Sequence, residues 1–183
     1  MNRKEEIDAR IETLQEELEK LKKQREWIEK PITERIKTFT DAVEELGIEH
    51  PLVKQYMAAA NGDESFSRNT FAYIKLQIVA AALNEGWFPY LQRKEKRWYP
   101  YYKIYAGDEL DDIFPDATYL FGASCGLACV GSGHAWSNAL SNISARLAVK
   151  SEEISDYFGN QFIDIWAEYL LDGCEIEKHD TDV

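Results

Sequence analysis

The chain has 183 residues, of which 45% are hydrophobic and 13% aromatic, so a folded core is expected and a wholly disordered protein is excluded. Its formal net charge of -12 argues against general attraction to nucleic acid or anionic lipid, because that attraction rests on neutralising phosphate charge. There is no long apolar run and no apolar segment after the charged start, so we expect no membrane partner and a cytoplasmic location. Three cysteines, an odd number, predict reduced thiols.

Residues 3–30 carry the heptad pattern of a coiled-coil helix. Nearly every position outside the apolar stripe is charged or polar, so the helix has one narrow face to bury. This predicts self-association through that face, while packing on the chain's own domain and pairing with a foreign protein are the alternatives. The residues that form the stripe are Ile7, Ile11, Leu14, Leu18, Leu21 and Ile28.

The charges beside the stripe favour a parallel pair of such helices. Arg3 would face Asp8 of the second copy, and Glu17 would face Lys22, which are attractive contacts. Arg25 falls on the stripe and weakens its C-terminal end. The helix is predicted to end or kink at the proline of position 31.

Short helices are predicted next. The alternation over residues 32–37 is consistent with an edge strand, and Thr38 followed by Asp41 predicts a capped helix over residues 39–46. Pro51 is placed to start a further helix that runs to about residue 60. A longer amphipathic helix is predicted over residues 67–85, ending at Gly86.

The segment at 87–105 is basic and aromatic, unlike the rest of the chain. Residues 98–105 predict a strand, with Pro100 favouring an edge or an irregularity. Exposed rings beside cations are typical of single-stranded nucleic-acid binding, since every base offers a face to stack on. The alternative is that alternate rings face a core helix. The candidate contacts are Arg93, Lys94, Lys96, Arg97, Trp98, Tyr99, Tyr101, Tyr102 and Lys103.

After an acidic loop near residues 108–116, the sequence predicts a hairpin. Ser132-Gly133 is expected to turn between strands near 119–130 and 135–149. Ser151 is placed to cap a helix over residues 152–171 that carries a wide aromatic stripe. We expect a sheet beneath that stripe and a frayed acidic tail over residues 173–183.

No catalytic constellation is recognisable, so we expect a protein without enzymatic activity, cofactor or metal. Cys125, Cys129 and His134 do not have the spacing of a zinc site, and buried thiols are the plainer interpretation. The acidic loop lacks the pattern of a calcium-binding loop. Ser132 near His134 has no third partner and no nucleophile turn.

Three stretches taken together resemble small uncharacterised proteins of phages and prophage-like elements of Bacteroides and related gut bacteria. They are the Ala82-Leu83-Asn84-Glu85-Gly86-Trp87 stretch, the Trp98-Tyr99-Pro100-Tyr101-Tyr102 stretch, and the block at 144–171 that contains Arg146-Leu147-Ala148-Val149-Lys150-Ser151 and Gly159-Asn160-Gln161-Phe162. The resemblance covers roughly residues 36–171 and leaves out the heptad helix. It implies a mobile-element origin and a bacterial cytoplasm, and it transfers no active site.

The sequence therefore predicts an α+β fold in which a small antiparallel sheet is covered by helices on one face, with a projecting N-terminal coiled-coil helix. The expected divisions are a coiled-coil helix at 1–31, an α+β domain at 32–172 and a flexible tail at 173–183. The expected function is that of a non-enzymatic phage or mobile-element accessory protein, a homodimer that binds a host or phage macromolecule. Two alternatives are single-stranded nucleic-acid binding through residues 93–105 and acidic mimicry of DNA to inhibit a host defence or regulatory protein.

Overall fold

A computed structural model describes residues 3–62, 66–88, 95–106, 118–121, 125–135 and 147–171. The chain divides into two compact units, Met1–Arg35 and Ile36–Val183. In the described part of the chain, no helix is both long enough and apolar enough to cross a membrane.

The first unit contains the predicted heptad helix and one short helix after it. Helix α1 spans Arg3–Ile28 and α2 spans Ile32–Arg35, so the edge strand predicted over residues 32–37 is wrong. The cause is Pro31, whose carbonyl oxygen accepts hydrogen bonds from the amides of Glu34 at 2.9 Å and Arg35 at 3.3 Å. The fixed φ of proline suits the first turn of a helix, and that local preference overrides the two-residue alternation.

The second unit begins with three helices whose N-termini are predictable from the sequence. Helix α3 spans Phe39–Leu46, α4 spans Pro51–Asn61 and α5 spans Arg68–Leu83. The Thr38 hydroxyl accepts from the Asp41 amide at 3.2 Å, and the Asp41 carboxylate accepts from the Thr38 amide at 2.8 Å, which confirms the predicted capping pair. Ser67 caps α5 in the same manner through the Thr70 amide.

The sheet has three antiparallel strands in the order β1-β3-β2, with β1 at Arg97–Ala106, β2 at Thr118–Phe121 and β3 at Cys125–Ala135. The predicted hairpin turn at Ser132-Gly133 is wrong, because both residues lie inside β3 and pair with Pro100 and Tyr99. Gly133 is needed there for space: a Cβ at this position would lie 2.8 Å from the Tyr99 ring. Glycine thus marks a close contact on a strand here rather than a turn.

A β-bulge in β3 changes which side chains face the helices. Tyr101 pairs with Gly131 and Tyr102 pairs with Cys129, so one residue of β3 between them has no partner in β1. Gly131 has a φ of +126°, which a residue with a side chain rarely adopts. As a result Ser132 and Cys129, three positions apart, both face the helix that follows.

That helix is interrupted where the sequence predicts one continuous helix. Helix α6 spans Glu152–Gln161 and α7 spans Ile163–Leu170, and the backbone leaves the helical region at Phe162. The Phe162 ring is buried, and so are Phe158 and Trp166 on the same side. The break lets the two halves of the aromatic stripe follow different parts of the core.

Helix α6 lies against β1 and β3, and α7 lies beside β2. Helix α5 packs against α7 and α3. The second unit is an α+β fold with a small antiparallel sheet and helices on it, as predicted from the sequence.

Candidate functional sites

The apolar stripe of α1 is largely exposed to solvent. Its six side chains keep between 47% and 68% of their surface accessible. Burial of a Leu or Ile side chain contributes about 1.5–3 kcal/mol, so this exposed face is a candidate binding surface. We call it the seam, and its members are Ile7, Ile11, Leu14, Leu18, Leu21 and Ile28.

A charged residue near the C-terminal end of the stripe is held to the side. Arg25 donates from Nε to Oε1 of Glu29 at 2.8 Å, one helical turn further on. This ion pair is exposed and therefore contributes little to stability. It does direct the Arg25 charge toward the edge of the seam.

The basic and aromatic strand is only partly available to a ligand. Arg93 and Lys94 lie outside the described residues. Arg97 is 3% exposed. Tyr102 points toward α6, where its hydroxyl donates to the carbonyl oxygen of Gly159 at 2.9 Å and its ring lies 5.2 Å from that of Trp166.

The remaining rings of that strand are engaged to different degrees. Trp98 lies 4.7 Å from the His134 ring, with the Lys96 ammonium 5.4 Å from its centroid, and Tyr99 covers Gly133. Tyr101 is 54% exposed, and Lys96 and Lys103 are exposed as well. Nucleic-acid binding therefore stays a prediction. Among the described residues, the candidate contacts that are exposed are Lys96, Tyr101 and Lys103, and Trp98 and Tyr99 are half-buried.

The burial of Arg97 is chemically unusual. Its Nε and Nη2 atoms are enclosed and have no hydrogen-bond partner in the described part of the chain. Enclosing two of the three guanidinium nitrogens without a partner is costly, because water no longer solvates them. The residue is thus poorly placed for the exposed phosphate contact that the sequence suggests.

The remaining candidates for a nucleophile or a metal ligand have surroundings that do not favour such a role. Burial raises the pKa of the Cys129 thiol, which keeps it protonated and makes it a weak nucleophile and metal ligand. Ser132 donates to Oδ1 of Asp156 at 2.6 Å, so its hydroxyl is directed at α6 and not at His134. Among the described residues, no three His, Cys, Asp or Glu side chains cluster as metal ligands. The Cys125 side chain and the acidic loop lie outside the described residues.

An asparagine that the sequence does not single out joins distant parts of the second unit. Asn84 donates from Nδ2 to the carbonyl oxygen of Ala148 at 2.9 Å and accepts at Oδ1 from the Lys150 amide at 3.0 Å. The next residue of that segment, Val149, forms a two-way backbone bridge with Trp98, at 3.1 and 2.8 Å. The end of α5, the start of β1 and the segment at residues 148–150 therefore meet in one place.

A cavity of about 610 Å³ opens beside Asn84, among the α3–α4 connection, the C-terminal half of α5 and the segment at Ala148. Sequence reasoning missed it, since no local pattern predicts a void between three segments. One signal was present: Gln77 is a polar residue in the otherwise apolar run from Leu76 to Ala82. A polar side chain in a buried run points to a hydrogen-bonding role.

Comparison with known proteins gives no match to this chain: no family model, no curated protein and no solved structure corresponds to it.

Proposed function

We propose that this protein is a non-enzymatic binding protein that forms a parallel homodimer through α1 and presents two copies of its α+β unit to a macromolecular partner. The observation that carries the proposal is the exposed seam. Its six apolar side chains lie on one face of a helix that spans Arg3–Ile28. An accessible stripe of this length on a surface of alternating charge is typical of a helix that pairs.

Energetics favour pairing over a single exposed helix. An isolated helix in water is marginally stable, since most helical stability in proteins comes from packing an apolar face. Pairing two seams removes twelve apolar side chains from water, at about 1.5–3 kcal/mol for each one fully buried. This free energy of burial contributes both to dimerisation and to the stability of the helix itself.

The charge pattern of α1 favours a second copy of the same helix as the partner of the seam. Acidic and basic residues nearly balance along the first unit, so two identical helices approach without strong net repulsion. In a parallel pair Arg3 and Glu17 face Asp8 and Lys22 of the other copy, which are opposite charges. A foreign helix would need to match the same pattern.

The wider role follows from the resemblance of the second unit to proteins of phages and prophage-like elements. On this proposal the protein acts in the cytoplasm of a bacterial host as an accessory protein, and its partner is a host or phage macromolecule. Two α+β units on one dimer would bind a repeated or dimeric partner with avidity. The meeting of the resembling stretches at Asn84 and Trp98 supports their treatment as one functional unit.

Light scattering coupled to size exclusion tests the dimer directly. The full chain is expected to elute with twice its mass of 21.1 kDa. The double variant Leu14→Lys with Leu18→Lys places charge in the middle of the seam and is expected to elute as a monomer with an unchanged α+β unit.

The matched control carries two new lysines in the same stretch of α1 but off the seam, at Ala9 and Thr13. Ala9→Lys with Thr13→Lys adds the same charge and is expected to remain dimeric. A wild-type chain that is monomeric at micromolar concentration contradicts the proposal. A seam variant that remains dimeric shows that another surface forms the oligomer, and contradicts it equally.

A further inference from the structure

The cavity beside Asn84 is distinct from the seam, because the described residues that line it all belong to the second unit. Its walls are mainly apolar and include Leu46, Leu52, Ala81 and Trp87. A volume of about 610 Å³ falls within the range of small-molecule sites. The cavity is therefore large enough for a ligand of one to three rings.

Gln77 gives the cavity a polar recognition group. Gln77 lines the cavity and is only 5% exposed. A buried amide gains free energy when a ligand supplies hydrogen bonds to both its oxygen and its nitrogen. An amide offers one acceptor and one donor side by side, so it selects a ligand edge with the complementary pair.

His50 adds a second polar group to the lining of the cavity. Its Nδ1 accepts a hydrogen bond from the Leu52 amide at 3.3 Å, as the cap of α4. The other ring nitrogen, Nε2, is left as the atom of His50 that can donate to a ligand.

The lining also defines the charge and shape of the ligand. None of the described residues that line the cavity is an acid, a lysine or an arginine, so a charged ligand would enter without a counter-ion. Trp87 and Phe88 supply aromatic faces, and Phe88 is 76% exposed. Aromatic walls favour a flat ring.

We propose that this cavity binds a neutral planar heteroaromatic ring with a hydrogen-bond donor and acceptor on one edge, the chemistry of a nucleobase. The Gln77 amide pairs with that edge, as glutamine pairs with adenine in nucleic-acid recognition. Trp87 covers the ring face, and Asn84 is not a contact because Ala148 and Lys150 already occupy its amide.

The test uses adenine as the probe and NMR chemical shifts of the full-length protein as the readout. Adenine is expected to shift the Gln77 side-chain amide and the Trp87 indole signals saturably. Gln77→Leu replaces the amide with a somewhat smaller apolar side chain, and it is expected to weaken adenine binding about tenfold or more. Ala81→Phe fills the cavity and is expected to abolish binding.

Two controls make the test specific. Gln55→Leu is the same chemical change at an exposed position of α4 that does not line the cavity, and it is expected to bind adenine as the wild type does. Toluene, a ring without a polar edge, is expected to bind more weakly than adenine. The proposal is overturned by an absence of saturable shifts with adenine, by equal affinity in Gln77→Leu, or by tighter binding of toluene.

Discussion

Asn84 donates a hydrogen bond from Nδ2 to the carbonyl oxygen of Ala148 at 2.9 Å, across 64 residues of chain. Its Oδ1 accepts from the Lys150 amide at the same time, so both ends of the amide are used. Asn84 is 7% exposed, and it lies at the end of α5. The side chain thus fixes the segment before α6 to the C-terminal end of a buried helix.

Replacement of this asparagine is expected to be costly. Asn84→Ala leaves the Ala148 carbonyl and the Lys150 amide without their partner, and we expect the free energy of unfolding to fall by about 2–4 kcal/mol. Urea denaturation followed by circular dichroism measures the change. Asn61→Ala, an exposed asparagine at the end of α4, serves as the control and should change stability little. A loss of stability in Asn84→Ala no larger than in the control would show that the bridge is dispensable.

Arg25 is expected to limit the stability of the dimer. Arg25→Leu places an apolar side chain on the seam and removes two like charges that approach each other in a parallel pair. We expect the dimer to dissociate at about tenfold lower concentration, a change of roughly 1–2 kcal/mol. Sedimentation equilibrium measures it, with Lys23→Leu on the outer face of α1 as the control. Weaker association of Arg25→Leu would argue against the parallel register.

Stability is expected to decline in alkaline solution. Burial raises the pKa of Tyr102 well above its ordinary value, and burial also raises the pKa of Tyr157 and of Tyr169. The folded state therefore holds these protons more tightly than the unfolded state does. The contribution of these tyrosines to the free energy of unfolding is fully present below about pH 10 and is lost as the pH rises above that value.

Tyr102→Phe isolates the largest of these contributions. The variant lacks the hydrogen bond to the Gly159 carbonyl and should lose about 1 kcal/mol near neutral pH. Its stability should also fall less steeply between about pH 9 and 11, because one linked proton is gone. Urea midpoints across that range measure both effects. An unchanged slope would mean that Tyr102 ionises freely in the folded protein.

Gly159 is expected to resist substitution although it lies within a helix. A Cβ there would lie 2.7 Å from Sγ of Cys129 and 2.8 Å from Cβ of Pro100. The helix preference of alanine favours Gly159→Ala by about 1 kcal/mol, but crowding against the sheet outweighs it, and we expect a net loss of about 1–2 kcal/mol. Thermal denaturation measures the change. Asn160→Ala, the exposed neighbour, provides the comparison; a gain of stability in Gly159→Ala would show that α6 can move off the sheet.

Local signals account for the parts of the fold that the sequence predicts well. The heptads of α1 and the capping pair of Thr38 and Asp41 depend on residues within a few positions of each other, and both helices begin where these signals place them. The edge strand over residues 32–37 fails because alternation over six residues is a weaker constraint than a proline at a helix start. The seam is predictable for the same reason as α1.

Non-local contacts account for the rest. Ser132-Gly133 resembles a turn in sequence, but the ring of Tyr99 makes the glycine a packing residue within β3. The cavity requires the α3–α4 connection, α5 and Ala148 to come together, and no window of sequence contains all three. Gln77 is visible in the sequence as a polar interruption of an apolar run, although its place in the cavity is a property of the assembled fold.

The bulge in β3 makes the length of that strand as important as its composition. Ser132 contacts Asp156 and Cys129 lies against Gly159, although an uninterrupted strand would turn residues three apart to opposite sides. Removal of a single residue at position 130 would restore regular alternation and turn one end of the strand over. Such a deletion would expel either the serine or the cysteine end from beneath α6, so the packing of this strand depends on its exact number of residues.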